Sequence, residues 1–294
     1  VNGASSRGKD GLGTVAPALF VLLWASGFVV ARLAAPHAPP LGFLALRFAA
    51  TLAALVPLIL WARAPWPDAR TAAHLAVAGL MLHAAYLGGV WVAVSLGMSA
   101  GVSALIVNLQ PVLTALAVAR GREPVAFRQW LGLALGFGGV AMVVAHKAGA
   151  EGLGAASVAL ASGALVAITA GTLYQRRHAP SFDLRTGTFV QYAASLAVVA
   201  PLAVLLEDRG FDWGVPLLFA LGWSVLALSI GAVFLMFALI RRGSATRVAS
   251  LFYLVPPVTA LQALLLFGEP FGWPAVIGMG LAALGVALVV RTGA

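Results

Sequence analysis

Ten long apolar runs, separated by short connections rich in Gly, Pro or charge, follow one another along the chain. They are Thr14–Ala35, Pro40–Trp61, Ala72–Leu96, Val102–Ala119, Phe127–Ala145, Gly154–Gln175, Thr186–Leu206, Val215–Ile240, Ala245–Phe267 and Phe271–Val290. Each is close to the roughly 20 residues that an α-helix needs to cross a bilayer. Inside lipid every backbone N–H and C=O must be satisfied within its own segment, so unbroken apolar runs predict helices. A membrane β-barrel would instead show alternation over about ten residues per strand. The expected fold is an all-α integral membrane protein with ten transmembrane helices. The polar, Gly- and Ser-rich stretch 1–13 reads as a disordered leader.

Composition agrees with this pattern. Hydrophobic residues make up 62% of the 294 and charged residues 9%, against roughly 25% charged in a soluble domain. The net charge of +9 would suggest nucleic acid only if a folded soluble domain carried a basic face, and the chain leaves no room for one. Cytoplasmic loops of membrane proteins are enriched in Lys and Arg. With the N-terminus in the cytoplasm, fourteen of the 18 basic residues fall on cytoplasmic segments, among them Arg63, Arg70, Arg120, Arg122, Arg176 and Arg177. Both termini are therefore expected inside, in a multi-pass protein of a bacterial inner membrane. The chain has no Cys, which removes disulfides, thiolate metal sites and Cys nucleophiles.

The two halves of the chain repeat each other. An offset of 146 superposes Gln110-Pro111-Val112 on Pro256-Pro257-Val258, Glu123-Pro124 on Glu269-Pro270, Gly132 on Gly278 and Gly139 on Gly285. Earlier in each half an offset of 144 superposes Gly27 on Gly171, Arg32 on Arg176 and Pro57-Leu58 on Pro201-Leu202. Two five-helix repeats follow, residues 14–147 and 148–294. An odd number of helices per repeat forces the second to lie upside down, and inverted repeats around a central cavity are typical of secondary transporters.

Several short motifs then carry a family likeness across nearly the whole chain. They are Trp24-Ala25-Ser26-Gly27-Phe28, Pro40 with Leu46-Arg47-Phe48, Asn108-Leu109-Gln110-Pro111 running to Glu123-Pro124, and Pro256-Pro257 running to Glu269-Pro270. With these the chain resembles the drug/metabolite transporter superfamily, EamA type, and within it the YddG-like exporters of aromatic and other neutral amino acids. The resemblance implies a ten-helix exporter working by alternating access. Family members also export purines, sugars and drugs, so nucleobases, drugs or other small metabolites stay open as cargo.

All nine Asp and Glu residues fall in loops or at helix ends. Ion-coupled carriers usually keep a carboxylate within the membrane, and no Walker sequence is present. Facilitated diffusion is the mode expected. The candidate substrate-binding residues are the polar and aromatic side chains deep in the spans: Trp24, Ser26, His83, Tyr86, Asn108, Gln110, Tyr253 and Gln262. His83 and Tyr86, three apart, share a helix face, and Trp24, Tyr86 and Trp91 offer an aromatic lining. Pro111, Pro256 and Pro257 each remove a backbone donor and bend a helix, which makes them candidate gates. Arg47 reads as snorkelling to the outer surface rather than holding a substrate carboxylate, because its repeat counterpart is the neutral Gln191. Ser229 and Thr169 read as bonded to their own helices.

Gly132, Gly136, Gly139 and Gly278, Ala282, Gly285 form small-residue stripes that suit close packing, either within the chain or in a homodimer. Gly97-Met98-Ser99-Ala100-Gly101 matches a hydrolase pattern, but here it reads as a turn between two spans. Catalytic residues, metal and cofactor are not expected. The partners expected are the lipid bilayer and a small-molecule substrate, with amino acids as cargo and no nucleic acid. An intramembrane enzyme or a receptor is the reading from another class, and it lacks both a catalytic cluster and a signalling segment.

Overall fold

The computed structural model describes residues 10–119, 127–151, 153–242, 251–269 and 272–290. Helix α1 (Asp10–Ala34) and α2 (Pro40–Ala62) are followed by α3 (Ala69–Ser95), whose middle turn Leu80–Ala85 is π-helical. Helix α4 has two pieces, Ala100–Val107 and Gln110–Ala119, and α5 spans Phe127–Glu151. Then come α6 (Ala155–His178), α7 (Leu184–Leu206) and α8 (residues 215–242), whose middle, Trp223–Ala232, is again π-helical. A 3-10 turn, Phe252–Leu254, leads into α9 (Val255–Phe267), and α10 covers Trp273–Val290. Helix α1 starts inside the segment expected as a leader, so residues 10–13 are helical; residues 1–9 and the Glu123-Pro124 turn lie outside the described residues.

Six of these helices are long and apolar enough to cross a membrane, and the remaining apolar helices are shorter. Large apolar side chains stay uncovered on the outside, with Leu60 at 70%, Leu265 at 75% and Val204 at 82% exposure. Apolar surface on that scale is at home against lipid.

Helix ends follow local chemistry. Pro40 opens α2, where a missing N–H costs nothing and the fixed φ suits a first turn. Asp68, Ser99 and Asp183 cap α3, α4 and α7, their side-chain oxygens accepting the N–H of Thr71, Val102 and Arg185. Ser99 is thus a capping residue, which accounts for the hydrolase-like pattern. Glu207 caps α2 from a distance: its two carboxylate oxygens accept the N–H groups of Leu41 and Gly42 at 2.8 and 2.7 Å. Gly268 ends α9 in the left-handed region at φ 67°.

Packing between the halves is reciprocal. A side chain on Gly139 would strike the carbonyl oxygen of Gly278, and one on Gly278 would strike that of Gly139. At the other end of the seam Gly285 lies against the carbonyl of Gly132. These pairs run in opposite directions along α5 and α10, so the two helices are antiparallel, and each pair maps onto the other under the 146-residue offset. The small-residue stripe is therefore occupied within the chain. Helices α2 and α7 are antiparallel too: Leu41 and Gly42 meet Glu207 at one end, and Thr186 donates to the carbonyl of Pro65 at the other. Gly27 packs on Leu228, and its counterpart Gly171 packs on Leu82.

Two expectations follow. Gly278→Leu drives a side chain into backbone, which cannot move aside, so α5 and α10 must separate at a cost of about 1–3 kcal/mol; Gly280→Leu meets open space and serves as the control. Unfolding of the two variants by SDS titration checks this. The Asp68 carboxyl is held below its ordinary range mainly by the backbone N–H of Thr71 and then by the Thr71 hydroxyl. Its stabilising effect is complete above the usual carboxylate pKa of about 4 and is lost as pH falls through the depressed value. The difference in Tm between the protein and Asp68→Ala should be present at neutral pH and shrink in strong acid.

Candidate functional site

Among the described residues regular helix fails at four places within the spans, and these places pair under the repeat. Pro111 cannot donate to the carbonyl of Val107, and α4 breaks at Asn108-Leu109 just before it. The counterpart break is the 3-10 turn Phe252–Leu254, ahead of Pro256 and Pro257. The π-helical turns of α3 and α8 form the second pair; no proline causes them. A π turn inserts an extra residue and re-aims its side chains, and such turns occur often at functional sites.

The π turns carry His83 and Ser229, which are equivalent under the 146-residue offset. Both face the first half of α2 and α7. Arg47 of α2 is buried, 5% exposed, and its Nε donates to Ser229 Oγ at 3.2 Å. Gln191, the counterpart of Arg47 on α7, accepts from His83 Nε2 at 3.4 Å and donates through its own amide to Gln175 Oε1 at 2.6 Å. The Arg47–Ser229 and Gln191–His83 contacts are thus the same contact made once by each half. Phe48 and Tyr192, also equivalents, have ring centroids 5.3 Å apart. The Tyr192 ring stacks on His83 at 4.3 Å. Tyr86, one turn beyond His83, is buried.

The cluster therefore offers one cation, two phenols, two amides, an imidazole and a hydroxyl among aromatic rings. Among the described residues no three His, Asp or Glu side chains stand close enough to hold a metal ion.

Of the residues expected at a site, His83 and Tyr86 lie in this cluster. Trp24 packs on Phe20 and edge-on against Phe252, at 5.4 and 5.2 Å, in the seam of α1 with the α9 entry. Ser26 donates to the carbonyl of Leu23 and accepts from Trp223 Nε1 at 2.8 Å, so it anchors the start of the second π turn. Asn108 donates to the carbonyl of Ala104 at the α4 break, and Gln110 donates to Thr172 of α6. Gln262 donates to the carbonyl of Leu22, while its buried Oε1 has no hydrogen-bond partner among the described residues. Pro256 is buried, Pro257 exposed and Pro111 intermediate. The Tyr253 side chain lies outside the described residues.

Sequence reading missed Gln191, Tyr192 and Ser229, and it sent Arg47 to the surface. Arg47 does not snorkel: it turns inward, and Ser229 receives it instead of bonding only to its own helix. Thr169 does bond to its own helix, at Leu165. The available signal was the offset itself, because Arg47 and Phe48 map onto Gln191 and Tyr192. Replacing Gln191 by Leu leaves His83 and Gln175 each without this partner, at an expected cost of about 1–3 kcal/mol; Gln191→Glu keeps the acceptor for His83 and should cost less. Thermal melts in detergent compare the two.

Known proteins place this architecture. The model of the EamA-like transporter family matches residues 12–145 and again 155–291. An uncharacterized transporter of Archaeoglobus fulgidus is 26% identical over 284 residues, covering 93% of this chain and 97% of its own. The uncharacterized inner membrane transporter YedA of Escherichia coli strain K12 is 26% identical over 275 residues, covering 92% and 89%. A solved structure shares the fold with a TM-score of 0.66 at 20% identity, over 94% of this chain and 95% of the other. With its two matched repeats, its membrane-length helices and its relatives named as transporters, this multi-pass membrane protein belongs to the EamA-like transporter family.

Proposed function

We propose that this chain is a bacterial inner-membrane exporter of neutral and aromatic amino acids that works by alternating access, with ten spans in two inverted repeats and both termini in the cytoplasm. The observation that carries the reading is the cluster of Arg47, Phe48, His83, Tyr86, Gln191, Tyr192 and Ser229, where repeat-equivalent residues of four helices meet. Aromatic rings suit an apolar side chain, and the amides and hydroxyls suit the polar end of a small zwitterion. The antiparallel, exchanged contacts of α5 with α10 and α2 with α7 favour inversion of the second half. Inverted halves sharing one site can rock so that it opens to either side, and the paired breaks at Pro111 and at Pro256-Pro257 are suitable hinges.

Movement down the substrate gradient is the mode proposed, because no carboxylate is available within the spans to carry a coupling ion. Purified protein in sealed vesicles, loaded with unlabelled amino acid and without a proton gradient, should take up labelled phenylalanine, threonine or methionine by counterflow. Absence of exchange for all three overturns the amino-acid reading. His83→Ala and Tyr86→Ala are each expected to slow exchange by about tenfold, the size of one lost pocket contact.

A further inference from the structure

We infer that Arg47 is the anion site of this carrier, and that the carrier selects monocarboxylates bearing an apolar or aromatic body, with no requirement for the amine. The inference rests on the transporter reading above and adds the chemical group that is recognised.

A guanidinium is always charged and presents five donors in a planar fork. Burying it without a counter-charge is costly, and intramembrane charges that persist mark substrate paths by default. Arg47 is 5% exposed. Every Asp and Glu of the chain lies in a loop or at a helix end, and the described ion pairs are Arg32–Glu269, His37–Asp212 and Arg185–Asp183. Among the described residues Arg47 donates to a hydroxyl, that of Ser229, which accepts its hydrogen bond without neutralising it.

The repeat supplies a control built into the fold. Gln191, itself uncharged, occupies the equivalent position on α7 and is satisfied by His83 and Gln175. The architecture therefore needs a polar residue there and does not need a charge. The charge on α2 breaks the symmetry of the cluster and gives it one cationic end. With Nε held by Ser229, we take the rest of the fork to be left for a ligand within the cluster that also holds Phe48, Tyr86 and Tyr192. A planar carboxylate matches a guanidinium fork in shape and charge, and the rings accept the adjoining apolar body. No carboxylate of the cluster faces back to receive an ammonium group, so an amine on the ligand adds little.

Three probes that share a ring and a chain length decide the matter: phenylalanine, 3-phenylpropionate and 2-phenylethylamine. Binding to the protein in nanodiscs is followed by intrinsic tryptophan fluorescence. Phenylalanine and 3-phenylpropionate should bind within severalfold of each other, with 2-phenylethylamine at least about tenfold weaker, as loss of a charge-assisted bond implies. Arg47→Gln should abolish the preference for the carboxylates. Ser229→Ala, which leaves the charge buried but unanchored, should weaken 3-phenylpropionate by severalfold and leave 2-phenylethylamine unchanged. The wild-type comparison and Ser229→Ala keep the test valid if Arg47→Gln fails to fold. Equal binding of the amine and the carboxylates, or no binding by any probe, overturns the anion site even where amino-acid exchange is measured. Binding of 3-phenylpropionate without phenylalanine supports the anion site and removes the amino-acid reading.

Discussion

A polypeptide in hydrocarbon has no water to complete its backbone hydrogen bonds, and much of this molecule can be traced to that constraint. Long apolar runs become helices because a helix closes its own ladder. Every departure from the ladder then needs local compensation from side chains or neighbouring helices. The described departures within the spans are few and they pair: two prolyl breaks, in α4 and at the α9 entry, and two π turns, in α3 and α8. Polar side chains gather around them. Asn108 bonds back to Ala104 at one break, and Ser26 takes the indole N–H of Trp223 at the mouth of the second π turn.

The same places matter for transport because irregular backbone in a membrane is tolerated where it is buried in protein or lines an aqueous path. The π turns carry His83 and Ser229 to the inner faces of α2 and α7, where the residues of one half contact the residues of the other. In the alternating-access mechanism proposed above, such a junction would offer two nearly equivalent arrangements, since the Arg47–Ser229 and Gln191–His83 contacts are counterparts. A carrier that alternates between two states needs that near-equivalence. The exchanged glycine contacts of α5 and α10 serve a different purpose: backbone against backbone leaves no slack, so this pair is suited to remain a fixed frame while other helices move.

Charge separates the two ends of the cluster. Were the halves identical in chemistry, the two ends of the cluster would be alike. The contrast between Arg47 and Gln191 gives one end a cation and leaves the other an amide, and the positioning of both relies on neighbours contributed by the opposite half. The connection between α1 and α2 is pinned in the same manner, since Glu207, just beyond α7, caps α2 and Arg209 donates to the carbonyl oxygens of Ala35 and Pro36.

The helical nature of the runs, the doubling of the chain and the proline breaks were all legible in the amino-acid sequence. Each is written in local hydrophobicity, in a missing N–H, or in positions that repeat at a constant offset. Lys and Arg counts supply only an expected orientation, by the same kind of local reading. His83 and Tyr86 could be singled out because polar groups deep in apolar runs are conspicuous. The direction taken by Arg47 could not be read in this way, because a long side chain can reach the surface or the interior from the same Cα, and only the hydroxyl of Ser229, 182 residues away, decides. The π turns leave no residue signature, since an extra residue in a turn is stabilised by contacts between helices. Trp24, Asn108 and Gln110 were as conspicuous as His83, yet Trp24 and Gln110 find partners in seams between helices and Asn108 bonds back to its own helix. Sequence determines which side chains are costly to bury; tertiary structure determines which of those costs are met by neighbours and which are not.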